Sequence, residues 1–128
     1  MKKEENIDKI YLSEESINTI VNKIKHLYFN DLKKTSHYKY SLLRRNTDED
    51  LLKECFVQFD KIKMVLYRTR TSGYNSYDFI YVIDKTKYIT YSIHFDKKPY
   101  QILNAIVSNR IFDNYREYLT KTYPEKLI

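Results

Sequence analysis

The sequence has few of the residues that cross-link small proteins or interrupt secondary structure. Cys55 is the single cysteine among 128 residues, which excludes an internal disulfide and a zinc site built from several cysteines of one chain. Gly73 is the single glycine and there is no tryptophan. A chain of this kind suits the reducing cytoplasm, which is the localisation that we expect.

Long hydrophobic runs are also missing. The longest uninterrupted apolar run, residues 79–83, is far shorter than the ~20 residues that a membrane-spanning helix needs. The opening residues MKKEENIDKI lack the apolar stretch of a secretory signal. We therefore expect no association with a membrane.

Motifs of common catalytic sites are absent as well. The sequence contains no G-x-S-x-G motif, no P-loop and no H-E-x-x-H motif. The acidic residues around Asp48 and Asp50 are explained by their position at a predicted helix start, where carboxylates stabilise the helix dipole. We predict no metal, no cofactor and no catalytic activity.

The composition indicates a folded domain. Hydrophobic residues make up 42% and charged residues 31%, which provides enough apolar material for a packed core. The length fits one domain over residues 1–128. Residues 1–12 are interpreted as a flexible N-terminal arm and residues 124–128 as a tail.

The charge balance favours an anionic partner. Lysine and arginine number 23 against 17 acidic residues, which gives a net charge of +6. Such a balance is typical of proteins that bind nucleic acid. The same lysine-rich, tyrosine-rich composition also follows from the codons of an A/T-rich genome, so the charge alone does not decide the function.

Apolar residues at three- and four-residue steps predict most of the helices. The first is predicted over residues 13–34 with Ser13 as its N-cap, and the next over residues 48–59. Residues 36–46 fit a short helix or an irregular connector. Pro99 is predicted to open a long last helix that extends to about Thr122.

Alternating apolar residues predict strands over residues 61–70, 77–84 and 87–95. If Lys85 and Thr86 form a two-residue hairpin loop, Tyr81 faces Thr90 across the hairpin, although a slip of one residue changes these pairs. The predicted fold is therefore α+β, with N-terminal helices, a three-stranded antiparallel meander and a long C-terminal helix.

This register places aromatic and polar side chains on one sheet face: Tyr77, Phe79, Tyr81, Tyr88, Thr90, Ser92 and His94. Aromatic rings on an open sheet stack the bases of single strands, and Tyr81 and Tyr88 are the candidates here. If a helix covers this face, the same rings belong to the core.

Basic side chains near helix ends, strand ends and turns are the candidates for phosphate contacts. They are Lys33, Lys34, Arg44, Arg45, Arg68, Arg70, Lys97 and Lys98. The leading functional hypothesis is accordingly a small basic nucleic-acid-binding accessory protein, encoded by a phage or another mobile element.

Two alternatives remain open. Tyrosine and arginine are also frequent anchors in protein interfaces, which fits an inhibitor or antidote that blocks a larger enzyme or nucleoprotein complex. The predicted order of helices followed by an antiparallel sheet is similar to RelE-type ribonuclease toxins, although without a specific residue signature. That resemblance implies an endoribonuclease, for which His94 with Arg68 and Arg70 is the candidate centre. Exposed tyrosines also make a homodimer a further prediction.

Overall fold

A mixed β-sheet with helices on both faces is the framework of the molecule. The computed structural model describes residues 6–69 and 75–128. The strands in these residues are β1 (Ile7–Tyr11), β2 (Lys33–Lys34), β3 (Ile62–Arg68), β4 (Ser76–Asp84), β5 (Lys87–His94) and β6 (Gln101–Ser108). The α-helices are α1 (Glu14–Val21), α2 (Ser36–Arg44), α3 (Glu49–Phe56) and α4 (Phe112–Thr122), and short 3-10 turns lie at Phe29–Asp31, Phe59–Lys61 and Pro124–Lys126.

The strand order in the sheet is β1-β3-β4-β5-β6-β2. Neighbouring strands are antiparallel except β2 and β6, which are parallel. The hydroxyl of Thr35 donates to the carbonyl of Ile102 at 2.9 Å, which fixes the end of β2 and the start of α2 to the edge of the sheet. A contact between residues so distant in the sequence positions α2 beside β6.

One sheet face carries the main hydrophobic core. Residues of α1, α2 and α3 pack there against Val65, Phe79, Tyr81 and Tyr91 of the sheet. The hydroxyls of Tyr81 and Tyr91 donate to the carbonyls of Phe56 and Leu52, each at 2.7 Å. These bonds fasten α3 to the sheet.

The opposite face is covered by α4 over one part only. Phe112 and Leu119 of α4 pack against Met64, Leu66 and Ile80 of the sheet. The remaining part of this face carries polar side chains, which the site described below uses.

The predicted three-stranded meander with a long C-terminal helix is wrong. Residues 101–108 form strand β6, and α4 has only 11 residues. Asn104 pairs with Ser92 and Ile102 with Ile93, so Leu103 is an extra residue that forms a β-bulge. The bulge interrupts the two-residue period of the strand. The apolar residues Ile102, Leu103, Ile106 and Val107 therefore recur at the three- and four-residue steps that are typical of a helix.

The first predicted helix begins where expected but ends early. The Ser13 side chain accepts from the Ser16 amide, as an N-cap does. The helix ends at Val21. Phe29 lies in a 3-10 turn and Leu32 directly follows that turn, and both side chains are buried. The helix predicted over residues 13–34 is therefore wrong beyond its first half.

The strands predicted at 77–84 and 87–95 are confirmed as β4 and β5, and the helix predicted at 48–59 is confirmed as α3. The strand predicted at 61–70 is confirmed as β3 over residues 62–68, and residue 70 lies outside the described residues. Residues 36–46, for which a short helix was one interpretation, contain α2. Residues 7–11, which we assigned to an N-terminal arm, form β1.

The hairpin between β4 and β5 has the predicted two-residue loop but a shifted register. Asp84 pairs with Lys87 and Val82 with Tyr88, so Ile83 is an extra residue in β4. This bulge moves Tyr81 opposite Ile89 rather than Thr90. The aromatic residues of β4 consequently face the helices, and Asp78 lies beside Ser92 on the other face.

Candidate functional site

The rings proposed to stack bases lie inside the protein. Tyr81 is 0% exposed, and burial raises the pKa of its hydroxyl well above the ordinary value. Tyr88 is buried beneath α4 and stacks on Tyr115, with ring centroids 5.6 Å apart and an interplanar angle of 8°. Neither ring is positioned to stack a base, so we do not retain these tyrosines in the site.

Replacing Tyr81 by phenylalanine tests its structural role. The substitution leaves the buried carbonyl of Phe56 without its donor, and we expect a loss of about 1–3 kcal/mol in the free energy of unfolding. Urea denaturation measures this loss. Tyr40→Phe is the matched control, because Tyr40 is 63% exposed. Equal stability of the two variants would contradict the anchoring role of Tyr81.

The basic candidates are divided among different environments. Lys33, Lys97 and Lys98 are exposed, as are Arg44 and Arg45 at the end of α2. Lys34 is engaged in a network, where its Nζ lies 3.0 Å from Glu49 Oε2 and over the ring of Phe29. Arg70 lies outside the described residues.

The network around Glu49 is structural. The hydroxyl of Tyr38 donates to Glu49 Oε2 at 2.8 Å. Burial opposes ionisation of Glu49, but the hydrogen bonds from Tyr38 and Lys34 outweigh it and hold the pKa of the carboxyl below its ordinary value. Lys34 therefore links β2 to α3, and we do not assign it a phosphate contact.

Four lysines near one end of the sheet form what we call the basic edge: Lys23, Lys33, Lys97 and Lys98. The Lys23 Nζ lies 5.8 Å from the ring centroid of Phe95, and Phe95 packs edge-on against Tyr100 at 4.6 Å. The backbone amide of Lys33 donates to the Tyr100 carbonyl at 2.8 Å. These contacts place the α1 end, β2 and the β5–β6 loop side by side.

The part of the sheet that α4 leaves open forms a groove of 940 Å³, which we call the polar groove. This volume is at the upper end of the roughly 300–1,000 Å³ typical of ligand sites. Hydroxyl and amide side chains supply much of its lining: Thr35, Ser36, Thr90, Ser92, Gln101 and Asn104. Arg68, Arg110, His37 and Asp78 supply ionisable groups.

A buried ion pair lies in this groove. Arg68 Nε donates to Asp78 Oδ2, and the two side chains are only 12% and 6% exposed. The second carboxylate oxygen, Asp78 Oδ1, is buried and has no hydrogen-bond partner among the described residues. A buried acceptor without a donor is unfavourable, so a ligand donor at this point would be stabilising.

His94 is held away from the groove lining. It is 2% exposed, and its Nδ1 lies 2.7 Å from the carbonyl oxygen of Asn75. The structure gives no support to His94 as the centre of an endoribonuclease. Cys55 is also buried, and burial raises the pKa of its thiol, which disfavours the reactive thiolate.

Sequence reasoning missed Asp78, Arg110 and His37. Asp78 could have been found from the sequence, because it is a charged residue within a mostly apolar predicted strand. A buried aspartate is almost always paired, so its position indicates a buried ion pair. Arg110 and His37 had none, since their approach to one groove depends on β6 and on the pairing of β2 with β6.

The described residues contain neither a candidate metal site nor a candidate membrane-spanning helix. In them, no cluster of three or more histidine, cysteine or acidic side chains is arranged to hold a metal ion. None of the helices in residues 6–69 and 75–128 combines the length and hydrophobicity needed to cross a membrane. Comparisons with known protein families, curated proteins and solved structures give no match.

Proposed function

We propose that the protein binds single-stranded nucleic acid, with a short segment in the polar groove and phosphates along the basic edge. The observation that carries this proposal is the continuity of the two surfaces. Gln101 lines the groove, and it pairs directly with Lys33 of the basic edge. A chain leaving the groove at Gln101 therefore meets exposed lysines.

The lining suits a polar anion. Arg110 contributes positive charge, whereas the charge of Arg68 is balanced by Asp78, the only acidic side chain among the described lining residues. Hydroxyl and amide groups both donate and accept hydrogen bonds, which matches sugars, phosphates and base edges. Binding by such a surface depends on salt and little on sequence.

Removing two charges of the basic edge tests the proposal. We expect Lys97→Ala with Lys98→Ala to weaken binding of a fluorescent single-stranded oligonucleotide and to reduce the slope of log K against log salt by about 1.4, at roughly 0.7 per phosphate. Fluorescence anisotropy between ~50 and ~200 mM salt measures both effects.

The control removes the same charge elsewhere. Arg44 and Arg45 lie at the opposite end of α2 from Ser36, about 12 Å away at 1.5 Å per residue. We expect Arg44→Ala with Arg45→Ala to change the slope by less than half as much. Equal slopes for the two variants would contradict this location, and no binding by the wild type at low salt would overturn the function.

Binding to a protein is the second candidate, and it rests on other residues. Tyr40 and Leu43 are 63% and 82% exposed and lie one turn apart on α2. Exposed apolar and aromatic side chains are typical anchors of interfaces. The ratio of absorbance at 260 and 280 nm, measured after purification at low and then high salt, separates the candidates, because only bound nucleic acid gives a high ratio that salt abolishes.

A further inference from the structure

The unpartnered oxygen of Asp78 shows where the polar groove needs a donor. Asp78 is 4% exposed and its Oδ2 is held by Arg68, whereas Oδ1 has no partner among the described residues. A carboxylate oxygen accepts hydrogen bonds and repels other anions. A phosphate is therefore excluded from this position, and a neutral N–H or O–H group is favoured.

A nucleotide offers two kinds of neutral donor, the base N–H groups and the ribose 2′-hydroxyl. Bases bound as single strands are usually held by stacking on aromatic rings. The two rings that line the groove, Tyr88 and Tyr115, stack on each other instead. The groove is therefore better suited to the sugar–phosphate chain than to the bases.

The rest of the lining supports contact with sugars. Thr90 and Ser92 stand on β5 beside Asp78 of β4, and Asn104 pairs with Ser92 across β5 and β6. This row of small hydroxyl and amide side chains gives donors and acceptors at the spacing of the strands, with Arg68 beside Asp78 to attract a neighbouring phosphate.

We propose that the polar groove selects RNA over DNA, with Asp78 Oδ1 accepting a hydrogen bond from a ribose 2′-hydroxyl. This inference rests on the proposed binding of nucleic acid and specifies its ligand. The 2′-hydroxyl is the group by which a protein distinguishes the two nucleic acids at a given site.

Oligonucleotides that differ at the 2′ position test the inference without altering the protein. Three labelled strands of one mixed sequence carry 2′-hydroxyl, 2′-hydrogen or 2′-fluoro groups. The 2′-fluoro strand keeps the sugar pucker of RNA but has no donor. We expect the 2′-hydroxyl strand to bind at least about tenfold more tightly than both others, as one hydrogen bond to a charged acceptor implies.

A double variant assigns the preference to Asp78. Arg68→Met with Asp78→Leu removes both charges of this ion pair together, so that neither is left without the other. We expect the preference for 2′-hydroxyl over 2′-fluoro to fall below about twofold. The matched control is Lys121→Met with Glu117→Leu, which removes an exposed ion pair of α4 and keeps the wild-type preference.

The possible results distinguish the selection of RNA from the proposed binding of nucleic acid. Equal binding of the three strands by the wild type would overturn selection of RNA and leave nucleic-acid binding in place. A preference that persists in the double variant would overturn the role of Asp78. Failure of all three strands to bind would overturn both proposals.

Discussion

Phe56→Ala is expected to lower the free energy of unfolding by about 3–5 kcal/mol, the range for removing a fully buried phenylalanine ring. Phe56 is 0% exposed. Its ring lies within 6.5 Å, between centroids, of four others: Phe29, Phe59, Tyr81 and Tyr91. Because these rings come from several elements, they cannot collapse together to fill the cavity. Urea denaturation followed by circular dichroism gives the loss.

Val57→Ala provides the matched control, since Val57 is the next residue and is 42% exposed. Its substitution is expected to change stability by no more than about 0.5 kcal/mol. A loss below about 2 kcal/mol for Phe56→Ala would show that the neighbouring rings repack, and that α3 is held mainly by the hydroxyls of Tyr81 and Tyr91.

Arg68→Ala is expected to destabilise the protein by about 3–5 kcal/mol, because it leaves the carboxylate of Asp78 buried without its counter-ion. A loss of this size is a large part of the roughly 5–15 kcal/mol that stabilises a typical domain. Weaker nucleic-acid binding by this variant would therefore report partial unfolding as well as a lost contact. Thermal denaturation at several urea concentrations distinguishes the two effects.

Removing both charges of the pair together is expected to cost far less stability than Arg68→Ala alone. Arg68→Met with Asp78→Leu replaces the ion pair by apolar side chains, a change that is often neutral in buried sites. If Arg68→Ala alone costs less than about 1 kcal/mol, the pair contributes no more to stability than an exposed ion pair does.

Three of the errors in the predictions from sequence fall in strands that contain bulges. Asp8, Ile83 and Leu103 are each an extra residue in their strands. Each one breaks the alternation by which a strand is recognised, since side chains beyond the bulge change faces. Hence β1 was missed, the β4–β5 register was shifted and β6 was interpreted as a helix.

The candidate site was predictable only in part. The alternation of β5 correctly grouped Tyr88, Thr90 and Ser92 on one face, and these residues line the groove. The shifted register paired them with Tyr81 instead of residues on the face of Asp78. Exposure of Lys33, Lys97 and Lys98 agreed with their positions near turns, but their proximity depends on backbone contacts between distant segments.

The contact of residues 127–128 with β1 affects whether another copy of the protein can add a strand to this edge of the sheet. The outer strands of a sheet offer unpaired amides and carbonyls to which another chain can add a strand, which is a common route to aggregation. Here Leu127 bridges to Ile10, and the Ile128 amide donates to the Ile10 carbonyl at 2.9 Å. The opposite edge, β2, is only two lysines long. Both borders of the sheet thus offer few free backbone groups to a strand of another copy.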